Sequence, residues 1–123
     1  MGFKKKILVV EDSKIQRTIC VSQLKQAGYE NIEIAEDGVH AYSKLEKISI
    51  DLIICDWEMP ELDGIQLLKK VKKNPALQNI PFVMLTFFDD DEHYREAMNA
   101  GAQDYIIKPA SPDLLKEKLE KID

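Results

Sequence analysis

Five short, mainly apolar runs recur along this 123-residue chain, and they constrain its fold more than any other feature of the sequence. They occupy residues 7–10, 32–35, 52–55, 82–85 and 105–107. They do not alternate cleanly between apolar and polar residues, as a strand with one face in water would. Such runs are typical of strands in a parallel sheet that is covered on both faces. The chain is therefore expected to contain five buried parallel strands.

Segments with apolar residues at helical spacing separate the runs, and a fifth such segment follows the last run. Ser13 and Gln16 resemble a capping box, and Ser111 precedes Pro112, a residue suited to a first helical turn. Two glycines stand where helices are expected to end, Gly28 and Gly101. Five strands alternating with five helices predict one α/β domain over residues 1–123, a doubly wound parallel sheet with helices on both faces.

Composition narrows the class of function. No apolar stretch approaches the ~20 residues that a membrane helix requires, and the first residues lack the features of a secretory signal, so a cytoplasmic location without membrane contact is expected. A net charge of −5 argues against direct binding of nucleic acid and favours protein partners. Cys20 and Cys55 form no CxxC pair and are expected to be buried, reduced thiols.

Polar residues stand where the predicted strands end. Glu11 and Asp12 follow the first strand and Asp56 the third, while Thr86 and Lys108 end the fourth and fifth. In a doubly wound sheet with strand order 2-1-3-4-5, the first and third strands are neighbours at the ligand-binding edge, which would bring the three carboxylates together. Their repulsion must be relieved by raised pKa values or by a cation, and oxygen ligands suit Mg²⁺. With a hydroxyl and an ammonium group nearby, Asp56 is the natural nucleophile for phosphoryl transfer.

Four motifs, in this order and spacing, resemble the receiver domain of two-component response regulators. They are EDS at 11–13, CDWEMPELDG at 55–64, MLT at 84–86 and GAQDYIIKP at 101–109. The resemblance spans the whole chain, and the single-domain chemotaxis type is particularly similar around Asp56. It implies a flavodoxin-like, CheY-like fold with sheet order 2-1-3-4-5.

The resemblance also implies a role for each residue of the site. Asp56 would accept a phosphoryl group from a sensor histidine kinase or phosphotransfer protein, and the domain would catalyse its own loading and unloading. Asp12, Asp56 and the backbone carbonyl of Glu58 would hold Mg²⁺, or alternatively Mn²⁺, with Glu11 acting through water. The phosphoryl oxygens would be bound by two further side chains, those of Thr86 and Lys108.

The same resemblance implies a conformational response. Thr86 would move toward the phosphoryl group and Tyr105 would rotate inward, remodelling the surface formed by the fourth helix, fifth strand and fifth helix for an unidentified downstream protein. Phosphorylation would shift the population between two existing arrangements. The Lys108–Pro109 peptide bond is expected to be cis, and the protein to be a monomer or a weak dimer.

Several residues depart from the family pattern or carry no expected role. Phe87 stands where a small residue is usual, so slow phosphorylation by small donors is expected unless the ring points elsewhere. Glu58 and Phe88 flank the route of hydrolytic water in the family and are expected to tune the lifetime of the acyl phosphate. The two histidines, His40 and His93, are expected to be solvated helix residues.

Two other classes of protein share parts of this pattern. A phosphatase of the haloacid-dehalogenase type also uses an aspartyl phosphate, Mg²⁺, a hydroxyl and a lysine, but its nucleophile follows the first strand and a second aspartate stands two positions on. Here Asp56 is central and Glu58 occupies that second position. A flavin carrier of the same fold would need a Ser/Thr-rich phosphate loop, where this chain has Glu11 and Asp12.

Overall fold

The five apolar runs form one parallel sheet in a computed structural model that describes residues 4–122. The strands are β1 (Ile7–Val10), β2 (Ile32–Ala35), β3 (Leu52–Cys55), β4 (Phe82–Thr86) and β5 (Asp104–Ile107). Their spatial order is β2-β1-β3-β4-β5, so β1 and β3 are neighbours. The predicted fold class and strand order are confirmed, and each strand boundary lies within one residue of its prediction. Residues 1–3 and 123 of the expected domain lie outside the described residues.

Helices connect the strands and cover both faces of the sheet. They are α1 (Lys14–Gln26), α2 (Gly38–Lys47), α3 (Gly64–Lys73), α4 (Asp91–Asn99) and α5 (Pro112–Glu120). Successive strand residues point to opposite faces, so Leu8 and Val10 pack into the core beneath α2, α3 and α4, whereas Ile7 and Val9 pack beneath α1 and α5. Burial on both faces explains why the runs are continuous rather than alternating.

The helix ends follow the local sequence signals, with one difference. Ser111 accepts a hydrogen bond from the backbone of Leu114, and Pro112 opens α5 as expected. Ser13 accepts from the backbone of Gln16, but the reciprocal capping box is observed at α3, between Asp63 and Gln66. A capping box therefore forms at a site that the sequence pattern did not single out.

Several remaining expectations concern burial and backbone geometry. Gly28 and Gly101 adopt φ values of 103° and 108°, the left-handed conformation expected after helices. The Lys108–Pro109 bond is cis. Cys20 and Cys55 are buried free thiols, and burial raises the pKa of Cys20 to about 12. Within residues 4–122, no helix combines the length and apolar character needed to span a membrane.

Candidate phosphoacceptor and metal site

Three carboxylates meet at the carboxyl edge of the sheet, beside the neighbouring ends of β1 and β3. Glu11, Asp12 and Asp56 each present one oxygen within 4.8 Å of the others. The backbone N–H of Asp56 donates to the carbonyl of Val10, which ties the two strand ends together at 3.0 Å. The strand order thus produces the acidic cluster that the sequence predicts.

Lys108 is the nearest cation to this cluster that the described residues provide. Its Nζ lies 2.6 Å from Glu11 Oε1 and 3.8 Å from Asp56 Oδ2. Glu11 is 3% exposed, and its other carboxylate oxygen accepts the backbone N–H of Ser13 at 3.1 Å. Glu11 therefore has a structural partner on each oxygen, and Lys108 is shared between a buried carboxylate and the more accessible Asp56.

The cluster is short of positive charge. Burial raises the pKa of Asp56 to about 7, with the Glu11 carboxylate adding to the shift and Lys108 opposing it. Partial desolvation and the neighbouring Glu11 also raise the pKa of Asp12. One lysine does not compensate three adjacent carboxylates, and a divalent cation would remove the remaining repulsion. Closely spaced carboxylate oxygens are the hard ligands that Mg²⁺ prefers, so the residues present fit this ion.

The loop after β3 positions the Asp56 carboxylate against the start of α3. Asp56 Oδ1 accepts the backbone N–H of Trp57 at 2.8 Å. The backbone carbonyl of Trp57 in turn accepts the N–H of Gly64 at 2.8 Å. A Cβ atom at Gly64 would lie 2.3 Å from the Asp56 carbonyl oxygen and 2.9 Å from Trp57 Cα. The absence of a side chain at Gly64 allows α3 to start directly against this backbone.

Thr86 and Tyr105 lie on the two strands beyond β3. Thr86 is buried, its Oγ1 accepts the backbone N–H of Phe88 at 3.3 Å, and its carbonyl accepts the N–H of Lys108. Tyr105 is also buried, and its hydroxyl donates to the carbonyl of Phe88 at 2.7 Å. The tyrosine ring is therefore inward in this structure, connected to the loop between β4 and α4.

Phe87 and Phe88 point to different sides of the site. The Phe87 side chain is 56% exposed, and Lys108 Nζ lies 5.2 Å from the centre of its ring. It also lines a cavity of about 110 Å³ with Ile19 and Pro109. Phe88 instead faces Trp57, with their ring centres 6.0 Å apart. The Phe87 ring thus does not turn away from the site but stands beside its lysine.

An open cleft of about 510 Å³ lies on the other side of the carboxylates, and we call it the metal-side cleft. Its lining residues are Asp12, Trp57, Glu58, Met59, Pro60, Asp63 and Phe88. The expected ligand residue Glu58 is exposed at this cleft. Its location brings the backbone that follows Trp57 to the same opening as Asp12.

His93 does not match its expected place as a solvated helix residue. Its ring stacks on Phe88 with 3.8 Å between ring centres and 8° between planes. Its Nδ1 also lies 2.7 Å from the Asp90 carboxylate. The contact with Asp90 could have been predicted from the sequence, because a histidine three residues after a helix-capping aspartate lies within reach of its carboxylate. Its aromatic partners depend on loop geometry that spacing does not reveal.

Comparisons with known proteins point to one family. The model of the response regulator receiver domain matches residues 7–120. The chemotaxis protein CheY1 of Helicobacter pylori is 41% identical over 118 residues, covering 95% of each chain. The structure of the Vibrio cholerae chemotaxis protein CheY4 gives a TM-score of 0.88 at 33% identity, covering 98% of this chain and 99% of that one.

A second solved structure is similar over nearly the whole chain. It is the receiver domain of a Pseudomonas aeruginosa sensor histidine kinase, which has a magnesium ion coordinated in its active site cleft. Its TM-score is 0.86 at 26% identity, and the match covers 96% of each chain.

Proposed function

Because the chain belongs to the response regulator receiver domain family, and is thus a phosphorelay signalling switch, we propose that Asp56 is its phosphoacceptor. The observation that carries this proposal is the position of Asp56 within reach of both Lys108 and two further carboxylates. Asp56 is the member of the trio that follows the central strand β3, and it remains partly accessible. We propose that residues 1–123 act as one such domain.

The metal would occupy the mouth of the carboxylate cluster. We propose that Asp12, Asp56 and the backbone carbonyl of Glu58 hold Mg²⁺, or Mn²⁺ as an alternative, with Glu11 contributing through water. The bound ion would neutralise the charge that develops on the transferring phosphoryl group. Lys108 supplies a second positive charge, and the Thr86 hydroxyl supplies a hydrogen-bond donor for the phosphoryl oxygens. Supporting this assignment, Asp12 and Asp56 carry raised pKa values, and Lys108 is the lysine that forms ion pairs with Glu11 and Asp56.

In this proposal the domain catalyses its own phosphorylation and dephosphorylation and turns over no external substrate. The donor would be a phosphohistidine on a sensor histidine kinase or phosphotransfer protein. Movement of Thr86 toward the phosphoryl group would alter the loop whose Phe88 carbonyl holds the Tyr105 hydroxyl, and so the surface of α4, β5 and α5. A downstream protein would bind that surface in one of its two arrangements.

The acceptor assignment is tested by labelling. The chain is incubated with acetyl phosphate and Mg²⁺, and intact-mass measurement is expected to show addition of one phosphoryl group. Borohydride reduction then converts the acyl phosphate carbon into homoserine, which peptide mass spectrometry should place at position 56. Asp56→Asn is expected to abolish the addition.

The matched control is Asp51→Asn, because Asp51 lies just before β3, at the opposite end of the strand that Asp56 follows. The control variant should be labelled like the unmodified chain. Labelling that persists in Asp56→Asn, or that appears elsewhere in the unmodified chain, would contradict the proposal.

Phe87 is expected to slow phosphorylation by small donors. The ring stands beside Lys108 and reduces the open space next to the acceptor. Phe87→Ala should raise the rate with acetyl phosphate about fivefold, which corresponds to a barrier lower by roughly 1 kcal/mol. The rate is measured through the emission of Trp57, the single tryptophan of the chain.

Ile15→Ala is the control for this prediction, since Ile15 is an apolar residue at the start of α1 that is 72% exposed. It should leave the acetyl phosphate rate unchanged. Equal rates for Phe87→Ala and the unmodified chain would show that the ring does not obstruct small donors.

A further inference from the structure

Phe88 is held in place by contacts with four other residues. Its backbone N–H donates to Thr86 Oγ1, and its carbonyl accepts the hydroxyl of Tyr105. Its ring meets the Trp57 ring edge-on at 89° and stacks on His93. The backbone contacts fix the position of the residue, and the ring contacts fix the direction in which its side chain points.

His93 is itself anchored by the start of α4. Its ring nitrogen Nδ1 donates to the Asp90 carboxylate, and its backbone N–H donates to the same carboxylate at 3.0 Å. The hydrogen bond from the His93 ring holds the pKa of Asp90 below its usual range, so this carboxylate is ionised at neutral pH. The ring orientation of His93 is thus set by the helix cap.

The three rings form one cluster that borders the metal-side cleft. His93 meets the Trp57 ring edge-on, with 4.8 Å between ring centres and 82° between planes. Trp57 and Phe88 line the cleft together with Asp12, and Trp57 is bonded directly to the acceptor residue Asp56. His93 lies behind this pair and does not line the cleft. Its contacts therefore act on the site through the other two rings.

We propose that His93 is a positioning residue for hydrolysis of the phosphorylated domain: it holds the Phe88 ring against Trp57 and restricts the approach of water through the metal-side cleft. The proposal rests on Asp56 being the phosphoacceptor. In the step concerned, a water oxygen attacks phosphorus and the bond between phosphorus and the Asp56 oxygen breaks. The electron pair of that bond remains on the carboxylate, and the dianionic acyl phosphate yields a carboxylate and dihydrogen phosphate, which loses a proton to solvent.

A ring behind Phe88 matters because a phenyl side chain has rotamer freedom that only packing removes. Stacked and edge-on aromatic pairs are favourable beyond the area they bury. Without the stack, the Phe88 ring samples other rotamers and for part of the time leaves a clearer path for water from the open cleft to Asp56. The expected result is hydrolysis about fivefold faster, the factor that corresponds to the loss of one aromatic pair.

The experiment compares five chains after loading with phosphoramidate and removal of the donor. His93→Ala and His93→Gln remove the ring, His93→Phe keeps an aromatic ring that can stack but loses the bond to Asp90, and Arg95→Ala changes an exposed residue of the same helix. The decay of the phosphorylated species is followed by intact mass. The emission of Trp57 is recorded without phosphorylation, and it should shift to longer wavelength where the ring is lost.

Faster decay in the two ring-free variants, with near-normal decay in His93→Phe and Arg95→Ala, supports the proposal. If His93→Ala fails to fold, the same comparison is made with His93→Gln. Normal decay in folded ring-free variants overturns the proposal. Fast decay in His93→Phe overturns it as well, because the stacked ring would then not be what slows hydrolysis. If the unmodified chain accepts no phosphoryl group at all, the proposed function is contradicted, and the inference about His93 fails with it.

Discussion

In the metal-free protein, Asp56→Asn is expected to raise the free energy of unfolding by about 2 kcal/mol at pH 7.5. The cause is the partly buried carboxyl of Asp56, whose pKa in the fold is raised to about 7 from an ordinary 3.8. A carboxyl whose pKa is higher in the folded than in the unfolded state stabilises the fold at pH values below its unfolded-state pKa. This stability is lost as the pH rises through the folded-state pKa. Asparagine keeps the oxygen that accepts the Trp57 N–H but carries no charge.

The size of the effect follows from linkage. Raising the pKa of Asp56 from 3.8 to about 7 corresponds to about 4 kcal/mol if the charge is fully shielded from water. The Asp56 side chain is 14% exposed, and we take solvent screening to reduce this free energy to roughly half. At pH 4.5 the folded carboxyl is protonated in the unmodified chain, and the advantage of Asp56→Asn should shrink to about 0.5 kcal/mol.

Urea unfolding followed by circular dichroism in the presence of EDTA measures the free energy of unfolding at pH 7.5 and at pH 4.5. Glu46→Gln, which neutralises an exposed carboxylate on α2, should change stability by less than about 0.5 kcal/mol at either pH. Added Mg²⁺ should stabilise the unmodified chain and have a smaller effect on Asp56→Asn. Equal stability of the Asn variant and the unmodified chain at pH 7.5 would contradict the raised pKa.

Gly64→Ala is expected to lower the free energy of unfolding by about 3 kcal/mol and to weaken Mg²⁺ binding. The added methyl group would meet the Asp56 carbonyl oxygen at 2.3 Å. This atom and the nearby Trp57 Cα belong to the backbone, so no side chain can rotate to make room. The start of α3 and the loop after β3 must separate, which moves Asp56 away from Asp12.

Gly28→Ala provides the control that separates stability from site geometry. Gly28 has a φ of 103° after α1, so alanine there is strained by about 1–2 kcal/mol at a place outside the carboxylate cluster. It should lower stability while leaving Mg²⁺ binding, titrated through Trp57 emission, close to normal. Equal Mg²⁺ affinity in folded Gly64→Ala and Gly28→Ala would refute the role assigned to Gly64.

The fold could be predicted from sequence because strands that are buried on both faces of the sheet have apolar residues at nearly every position. Residues such as Ile53 and Ile54 point to opposite faces and are both buried, so the strand reads as a continuous apolar run. The carboxylate cluster could be predicted for a related reason. Parallel strands place their carboxyl ends at one edge, which brings Asp12 and Asp56 together whatever their side-chain conformations.

Side-chain partners across the fold could not be predicted in this way. The pairing of Lys108 with Glu11 joins residues 97 positions apart. Its 2.6 Å distance depends on how the Lys108 side chain, which follows β5, reaches past the ends of β4 and β3 to the end of β1. The stacking of His93 on Phe88 likewise depends on how the loop after β4 turns. Spacing shows that residues share a strand end or a helix face, but not which rotamer each adopts.

The opposed directions of Phe87 and Phe88 have a consequence for how signal duration can change over evolution. One ring stands beside the lysine that would meet an incoming donor, and the next faces the cleft through which water would arrive. If the proposed function holds, substitutions at two adjacent codons would alter the loading rate and the decay rate independently. A cell that needs a brief or a lasting response would then acquire it without altering the proposed acceptor, the proposed metal ligands or the fold.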